Sequence, residues 1–385
     1  MFIPAASSAS ARAINPAFRD RPCKAVSSGT TNQHPNEWSQ LFSISHLAKV
    51  HIGLKIGFNT LIEEFSLPIP IVYLFDAYYA NPTIVSAISA IQNNECDLEF
   101  HLVFPEADQA AGDSVKKELA THGATALTYP FSRDQLPIID FGKMNKLQKI
   151  TSGRIKLSDT VCMKTKICEI IPRDRFIYID GDTLVGNCLK DLYNFDLGDQ
   201  PIGAVEDYSA TRFKSILQKA GFGLDNYFNT GMMLMQADQL REINFFDQVM
   251  AADKRLGDNK LYSDQDSINV AAKSQIKSLP KRFNIQAIWF EEKAICDAQY
   301  RGLDNSIVHF IGGVKPWQSW HRPNGVALWR KYARLAKTVQ IELEPIETLD
   351  QLSIYAKALD AEERFRGASR IKSKIINELV KRKTP

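Results

Sequence analysis

The stretch RFIYIDGD, residues 175–182, decides which fold this sequence predicts. Its first five residues form an almost continuous apolar run that ends at an acid, which is typical of a buried strand. Asp180 and Asp182 stand at i and i+2, so both carboxylates can converge on one cation at the carboxyl end of the strand. Ligands bind at that end in open α/β sheets. Carboxylate oxygens suit Mg²⁺ or Mn²⁺, although Asp-x-Asp triplets also occur as plain acidic turns after strands.

A second apolar run lies toward the N-terminus, where IVYLF at 71–75 stops at Asp76. Pro82 then stands where a helix begins, and apolar residues recur behind it at helical spacing. The remaining chain continues to alternate. Further strands are predicted at 98–104, 228–235, 283–289 and 306–310, and helices at 114–121, 143–151, 161–170, 238–252, 263–272 and 324–337. This alternation predicts an α/β fold in which helices flank a mixed, mainly parallel sheet.

Composition excludes several classes of protein. The net charge of +3 over 385 residues does not indicate a nucleic-acid-binding protein. The six cysteines include no Cys-x-x-Cys pair, which excludes a zinc ribbon or a thioredoxin-like motif and suits a reducing compartment. No apolar run reaches the roughly 18 residues that cross a bilayer, and no secretory signal begins the chain. We therefore expect a soluble, cytoplasmic protein.

Three segments are expected along the chain. Residues 1–50 are rich in Ser, Ala, Asn, Thr and Pro, which predicts a disordered or loosely packed leader. The α/β domain is expected at 68–340. The segment 345–385 is amphipathic and basic, with nine Lys and Arg against four Asp and Glu from residue 351 onward, and predicts a helical extension. Such a helix is typical of a solvated surface or of contact with an anionic membrane.

The segment at 308–317, VHFIGGVKPW, carries the next informative pattern. His309 stands near the end of a predicted strand and offers a third metal ligand. Gly312 leaves room for the backbone to approach an anion, and Lys315 supplies a point charge for a phosphate. A single His on an apolar strand is more often a core residue, but the Gly-Gly-x-Lys sequence that follows favours a ligand site.

Two polar clusters interrupt apolar surroundings. Asn229 begins an Asn-Thr-Gly triplet inside an apolar run, where a buried amide needs partners such as sugar hydroxyls. The second cluster, YSDQD at 262–266, starts a predicted helix. Ser263 with Asp266 predicts an acidic variant of the capping box, which leaves Asp264 and Gln265 unexplained.

Two other enzyme classes fit the sequence poorly. A phosphatase of the haloacid dehalogenase type places a Thr two residues beyond the second Asp of its motif, where this chain has Leu184. A nucleotidyltransferase acting on sugar phosphates would need a Gly-rich loop after the first strand, and DAYY at 76–79 is not one.

Taken in order, these motifs resemble those of glycosyltransferase family 8, the retaining GT-A enzymes that include bacterial lipopolysaccharide galactosyl- and glucosyltransferases. The matching stretches lie within residues 70–320, at 71–76, 79–80, 178–182, 228–231, 264–266 and 309–317. The resemblance implies a GT-A fold with a Rossmann-like nucleotide-binding half. It also implies transfer of glucose or galactose from a UDP-sugar to a saccharide acceptor, in lipopolysaccharide or other surface glycan assembly.

The resemblance implies a metal and phosphate site. Asp180, Asp182 and His309 would hold Mn²⁺ or Mg²⁺, which binds the donor diphosphate. Lys315, with the backbone near Gly312, would neutralise the same diphosphate as it leaves.

It further implies contacts to the rest of the donor. Asp76 would contact the uracil. Asn229, Asp264 and Gln265 would hold the sugar, with Gln265 near the anomeric carbon. The family often carries an Arg where this chain has Lys164, and a Lys keeps the charge but loses the planar bidentate fork. The first strand is also followed by Ala-Tyr-Tyr-Ala rather than the Asp-Asn-Tyr-Ala of many bacterial members, so the identity of the sugar stays open.

The implied chemistry breaks the bond between the anomeric carbon and the diphosphate. No general base for the acceptor is evident, and a Gln is a poor nucleophile, so front-face attack is favoured over a covalent intermediate. A non-catalytic sugar-nucleotide-binding homologue is the alternative, but it would have lost a metal ligand or Gln265, and none is lost. Lipid-linked acceptors, which the family uses, would bring the C-terminal basic segment to the inner face of the membrane.

Overall fold

The computed structural model describes residues 67–136, 159–287, 303, 305–313, 315–320, 325–361 and 364–383. The predicted leader at 1–50 and the predicted helix at 143–151 lie outside these residues. The described part of the chain contains a seven-stranded sheet and a three-stranded sheet.

The strands follow the chain in a regular progression. They are β1 (Ile69–Leu74), β2 (Leu98–Pro105), β3 (Thr125–Phe131), β4 (Arg175–Ile179), β5 (Thr183–Val185), β6 (Ile202–Glu206), β7 (Phe228–Gln236), β8 (Ile276–Ser278), β9 (Ile285–Gln286) and β10 (Ile307–His309).

The helices lie between these strands and beyond the last of them. They are α1 (Ala80–Asn93), α2 (Gln109–Thr121), α3 (Asp159–Lys164), α4 (Ile167–Ile170), α5 (Leu189–Tyr193), α6 (Ala210–Lys219), α7 (Ala237–Glu242), α8 (Phe245–Leu256), α9 (Ser263–Ala271), α10 (Gly325–Ala333), α11 (Leu349–Ala361) and α12 (Phe365–Lys383). Among the described residues, none of these helices is both long and apolar enough to cross a bilayer.

The large sheet has the strand order β3-β2-β1-β4-β7-β6-β8. β1 to β4 are mutually parallel, β6 and β8 are parallel, and β7 runs antiparallel to both β4 and β6. The predicted mixed, mainly parallel sheet flanked by helices is therefore confirmed, as is the helical C-terminal region. β2 and β3 lie on one side of β1, and β4 lies on the other side. The strand order thus reverses between β1 and β4, which opens a crevice beyond their carboxyl ends.

The central strand β1 is buried on both faces, as a strand in the middle of an α/β sheet should be. Ile71 and Tyr73 belong to one apolar cluster, which includes α1 and the residues around Trp329. Val72 and Leu74 belong to the other, which includes the Met-rich side of β7. Burial on both faces fixes the register of β1, and with it the position of the polar residues that follow the strand.

The small sheet has the order β5-β10-β9 and brings distant parts of the chain together. β10 pairs antiparallel with β5, so His309 lies opposite Thr183. β5 begins directly after Asp182, and β10 ends at His309. This pairing therefore places His309, which is distant in sequence, near the carboxyl end of β4.

Two predicted helices are each divided in the structure. The helix predicted at 161–170 is interrupted because Thr165 and Lys166 donate their backbone N–H groups three residues back, to Cys162 and Met163. That tight turn separates α3 from α4. The helix predicted at 238–252 is divided by Asn244, whose φ of 51° is left-handed and begins α8 in a new direction.

Other elements differ from the prediction. The sequence did not predict β3, β5, β6, β8, α5 or α6. The strand predicted at 283–289 is short, because Phe283 belongs to a single 3₁₀ turn and only Ile285–Gln286 pair with β10. Residues 288–289 lie outside the described part of the chain.

The segment after α10 is tied back onto α2 by a buried carboxylate. Glu118 accepts hydrogen bonds from the backbone N–H groups of Lys337 (2.7 Å) and Thr338 (2.6 Å) and from the Thr338 hydroxyl (2.5 Å). Farther on, Glu344 pairs with the backbone of Trp317 and Ser319. The segment thus contacts the loop that carries Lys315 before the chain enters α11.

Candidate active site

Asp180 stands at the carboxyl end of β4, next to the start of β7. Its backbone N–H donates to the carbonyl of Gly231 at 2.8 Å, which continues the antiparallel ladder one residue beyond β4. The Tyr178 hydroxyl donates to Asp180 Oδ1 at 2.5 Å. The carboxylate is therefore oriented by its own strand, and its side chain remains 28% exposed, so it is open to a ligand.

Asp182 and His309 are joined by the small sheet. The N–H of Phe310 donates to the Asp182 carbonyl at 2.9 Å, which extends the pairing of β10 with β5. His309 Nε2 lies 3.2 Å from Asp182 Oδ1 and 3.9 Å from Asp180 Oδ2. One ligand atom from each of the three residues lies within 4.8 Å of the others. Two carboxylates suit Mg²⁺ or Mn²⁺, and the imidazole favours a transition ion such as Mn²⁺.

Gly231 leaves the space in which these groups meet. A Cβ at this position would lie 2.1 Å from His309 Cε1 and 2.9 Å from Asp180 Oδ2. A real Cβ does not come so close to other atoms. The glycine of the Asn-Thr-Gly triplet is thus required by the close approach of the imidazole and the carboxylate.

Lys315 is the cation nearest to Asp182. Its Nζ lies 2.5 Å from Asp182 Oδ2 and donates to the Phe310 carbonyl at 2.7 Å. Burial alone raises the pKa of Asp182, but the charges and hydrogen bonds of Lys315 and His309 outweigh it and hold that pKa well below its usual value. Asp182 is therefore ionised at neutral pH, as a metal ligand must be.

Lys164 ends α3 and bridges two other carboxylates. Its Nζ lies 3.0 Å from Asp180 Oδ1 and 3.1 Å from Asp264 Oδ2. It also lies 5.0 Å from the centre of the Tyr178 ring. Burial lowers the pKa of Lys164, yet the two carboxylates raise it well above its usual value. The lysine at the expected Arg position thus remains charged and links the Asp-x-Asp motif to the start of α9.

Asn229 and Gln265 converge on a residue that the sequence did not single out. The side-chain amide of each donates to Asp207 Oδ2, from Asn229 at 3.1 Å and from Gln265 at 3.2 Å. Asp207 follows β6 and is buried. It was missed because it is an isolated acid after an unpredicted strand, and only the pairing of β6 with β7 brings it to the site.

Asn284 is the second functional candidate that sequence reasoning missed. It is buried after the 3₁₀ turn that precedes β9, with its Nδ2 2.9 Å from Asn229 Oδ1 and its Oδ1 3.2 Å from His309 Nδ1. An isolated Asn after Phe283 gives no local signal. Its contacts depend entirely on the small sheet.

The start of α9 differs from the predicted capping box. The N-cap residue is Tyr262 rather than Ser263, and its side chain makes no capping bond. Asp266 instead reaches back to the N–H groups of Leu261 and Tyr262 and accepts from the Tyr227 hydroxyl at 2.5 Å. Burial raises the pKa of Asp266 to about 6 despite these three donors. Asp266 therefore anchors the helix start, and Asp264 and Gln265 project from an anchored turn.

The two remaining predicted residues lie at the rim of the site. Asp76 follows β1, is half-buried and accepts the N–H of Tyr79 at 3.0 Å. Burial raises the pKa of Tyr79 well above its usual value, and the charges of Asp182, Asp180 and Asp76 add to the increase, so all three carboxylates act on one phenol. Gly312 is exposed between β10 and Lys315 with a φ of +85°, a conformation that favours glycine.

The chain is similar to known glycosyltransferases. A family model for glycosyl transferase family 8 matches residues 70–321. A putative glycosyltransferase of Haemophilus influenzae is 26% identical over 217 residues, which cover 56% of this chain and 62% of that relative. A lipopolysaccharide 1,3-galactosyltransferase of Salmonella typhimurium is 26% identical over 241 residues, which cover 60% of this chain and 67% of that relative.

A solved structure supports the fold. The galactosyltransferase LgtC, crystallised with donor and acceptor sugar analogues, matches with a TM-score of 0.57 at 23% identity, over 70% of this chain and 97% of LgtC. Likeness at this identity establishes the GT-A-type architecture. Because the family model covers well over half of the sequence, the chain belongs to glycosyl transferase family 8.

Proposed function

We propose that this protein transfers glucose or galactose from a UDP-sugar to a saccharide acceptor, with retention of the anomeric configuration and with Mn²⁺ or Mg²⁺ as cofactor. The observation that carries the proposal is the convergence of Asp180, Asp182, His309 and Lys315 at one strand edge. That edge lies at the reversal of strand order, where open α/β sheets bind nucleotides.

The residues present fit a divalent cation. Among the residues that the structure describes, the three carboxylates of Asp180, Asp182 and Asp264 form ion pairs with two ammonium groups, those of Lys164 and Lys315, so negative charge is in excess. A bound cation would supply Lewis-acid stabilisation of the donor diphosphate. In the proposal Asp180 and Asp182 provide the oxygen ligands and His309 provides the nitrogen.

Lys315 has the chemistry to bind the departing diphosphate. An ammonium group held by a carboxylate and a carbonyl is already oriented at the site, at little cost in side-chain entropy when the donor binds. Gly312 in its left-handed conformation would allow the backbone to approach a phosphate oxygen. Asp76, at the end of β1, is proposed to contact the uracil.

Asn229, Asp264 and Gln265 are proposed to bind the sugar. Gln265 accepts the N–H of Thr230 at 3.2 Å through Oε1, so its amide oxygen is already engaged. An engaged amide oxygen is a poor nucleophile, which favours attack of the acceptor from the same face as the departing diphosphate. The departing phosphate oxygen would then receive the acceptor proton.

The acceptor is proposed to be a saccharide of lipopolysaccharide or another surface glycan. The named Salmonella relative supports this class of acceptor. Where the acceptor is lipid-linked, the basic helix α12 would contact the anionic inner face of the membrane, with the exposed Phe365 and Ile376 inserted among the lipids. The protein would then be cytoplasmic and peripheral to the membrane.

A donor screen tests the proposal. Purified protein is incubated with Mn²⁺ and a panel of UDP-sugars, and release of UDP is followed with and without EDTA. We expect UDP-glucose or UDP-galactose to be turned over and EDTA to stop the release. Turnover that persists in EDTA, or failure to bind any UDP-sugar, would contradict the proposal. A GDP- or ADP-sugar that outcompetes the UDP panel would overturn the donor assignment alone.

A further inference from the structure

Four buried polar side chains form a continuous chain of hydrogen bonds between the sugar-binding residues and the metal-binding residues. His309 Nδ1 lies 3.2 Å from Asn284 Oδ1, Asn284 Nδ2 lies 2.9 Å from Asn229 Oδ1, and Asn229 Nδ2 lies 3.1 Å from Asp207 Oδ2. All four side chains are at most 6% exposed. Because the four side chains are buried, water does not compete for these bonds. Whether one group donates or accepts therefore determines whether the next group accepts or donates.

The direction of the chain is fixed at two independent points. Asp207 Oδ1 accepts the backbone N–H of Ser209, and its other oxygen, Oδ2, faces the side-chain amides of Asn229 and Gln265 as their acceptor, so the Asn229 atom beside it is the amide nitrogen. The backbone N–H of Gly231 donates only, and it points at the other side-chain atom of Asn229, at 3.0 Å. That atom must be the oxygen. Both observations assign the same orientation to the Asn229 amide.

The orientation then propagates to the metal ligand. Asn229 Oδ1 accepts, so Asn284 must direct its amide nitrogen toward it and its oxygen toward His309. An oxygen facing Nδ1 keeps the proton on Nδ1 and leaves Nε2 as the position for a metal. Nε2 is the nitrogen that faces Asp182 and Asp180. Hydrogen bonds of this kind set the tautomer and orientation of metal-binding histidines.

We propose that Asn284 is a positioning residue that couples the two halves of the site: its oxygen fixes the metal-binding tautomer of His309, and its amide nitrogen fixes the sugar-facing amide of Asn229. This inference rests on the proposed metal-dependent function. The Asn284 oxygen acts on metal binding through His309, and its amide nitrogen acts on turnover through Asn229. Substitutions can therefore separate the two roles.

Two substitutions, Asn284→Leu and Asn284→Asp, separate the two roles of this side chain. Leucine has a similar volume and no hydrogen bond, so both functions are lost. Aspartate keeps an oxygen for His309 Nδ1 but presents a second oxygen to Asn229 Oδ1, where a donor is required. Asn93→Leu is the matched control, because Asn93 is partly buried and, like Asn284, hydrogen-bonded through its side chain, to Ser89, Val185 and Tyr332, without contacting the site.

The measurement is the affinity of each variant for Mn²⁺ alone, from the electron paramagnetic resonance signal of the free ion, together with kcat on the best UDP-sugar. We expect Asn284→Leu to lose about 10–100-fold in Mn²⁺ affinity. Asn284→Asp should bind Mn²⁺ at least as tightly as the unaltered chain but lose about 10–100-fold in kcat. Asn93→Leu should lower the melting temperature and leave both quantities unchanged.

The outcomes are distinct. If Asn284→Leu binds Mn²⁺ as tightly as the unaltered chain, or if Asn284→Asp leaves kcat unchanged, the coupling role is wrong. Should the leucine variant not fold, the aspartate variant decides alone: affinity kept with kcat reduced supports the role, and any other pattern overturns it. If the unaltered chain binds no Mn²⁺, the metal assignment itself fails, and the role proposed for Asn284 fails with it.

Discussion

The site consists of two regions that are stabilised in different ways. The charged cluster comprises Lys164, Asp180, Asp182, His309 and Lys315. The amide cluster comprises Asp207, Asn229, Gln265 and Asn284. In the charged cluster each lysine is paired with a carboxylate, Lys164 with Asp180 at 3.0 Å and Lys315 with Asp182 at 2.5 Å. In the amide cluster neutral groups are hydrogen-bonded in a single direction toward one carboxylate.

This difference indicates a division of labour. Ion pairs between lysines and carboxylates can be exchanged for pairs with a metal and a diphosphate, because the ligands carry the same kinds of charge. A directional network of buried amides has no equivalent exchange, since an amide that loses its partner is left unsatisfied. The charged cluster is thus suited to bind and release, and the amide cluster to hold a fixed geometry.

The largest effect is expected in the charged cluster, at Lys315. Lys315→Met removes the cation that would meet the leaving diphosphate. We expect kcat to fall by about 10²–10³-fold, as for loss of one transition-state donor. Mn²⁺ binding should be unchanged or tighter, because Asp182 loses a competing cation. Steady-state kinetics with Mn²⁺ titration check this, with Lys337→Met as a surface control. A parallel loss of Mn²⁺ affinity would place Lys315 in the metal site instead.

Asp207 probes the amide cluster. Asp207→Asn keeps the volume but removes the carboxylate on which Asn229 and Gln265 converge. Either amide can then rotate, so we expect kcat to fall by about 10–100-fold while the melting temperature changes little. Kinetics and a thermal melt of the same preparation give both values. Unaltered kcat would mean that the two amides are oriented by the backbone alone.

Lys164 is the member of the charged cluster that also reaches Asp264, and its substitutions should respond to charge more than to shape. Lys164→Arg keeps the bridge between Asp180 and Asp264 and restores the residue common in the family, so kcat/KM should change by less than about tenfold, or ~1.4 kcal/mol. Lys164→Met leaves the partly buried carboxylates of Asp180 and Asp264 without their shared lysine and should lower kcat/KM much more. Equal activity of the arginine and methionine variants would exclude an ion-pairing role.

Glu118 lies in neither cluster and should affect stability without activity. Glu118→Gln weakens the bonds that hold Lys337 and Thr338 on α2, at a cost of about 1–3 kcal/mol. Burial raises the pKa of Glu118, but the hydrogen bonds from Thr338, Lys337 and His122 outweigh it and lower that pKa. The stabilisation is therefore complete above the unfolded-state pKa and is lost as the pH falls through the lowered folded-state pKa.

Melting temperatures between pH 7 and pH 3 check the Glu118 prediction. The difference between the unaltered chain and Glu118→Gln should shrink toward the acidic end of the series. A difference that grows as the pH falls would contradict the sign of the pKa shift, and a fall in kcat at pH 7 would connect this contact to the site.

The charged cluster was largely predictable from the sequence, and the amide cluster was not. Asp180 and Asp182 follow a strand whose apolar pattern is unmistakable, and their positions follow from one strand and its carboxyl end. Asp207 and Asn284 follow a five-residue strand and a single 3₁₀ turn, which have no periodicity to read. Their positions depend on pairings between β6 and β7 and between β9 and β10, which are properties of the whole fold.

The same reasoning explains the helices. The apolar spacing at 161–170 and 238–252 predicted helices correctly, but it does not show where they break. The first helix breaks after Lys164, where Thr165 and Lys166 donate their backbone N–H groups three residues back. Asn244 adopts a left-handed conformation that Asn tolerates better than most residues, and so turns the chain into α8.

Titration of UDP into the protein by calorimetry, in Mn²⁺ and again in EDTA, shows whether Asp182 holds a metal that binds the nucleotide, when the unaltered chain is compared with Asp182→Asn. The variant keeps the volume and removes the charge of the most buried carboxylate of the metal site. We expect UDP binding to require Mn²⁺ in the unaltered chain and to be lost in the variant, with both proteins folded by thermal melt. UDP binding of equal affinity in EDTA, or in Asp182→Asn, would contradict it.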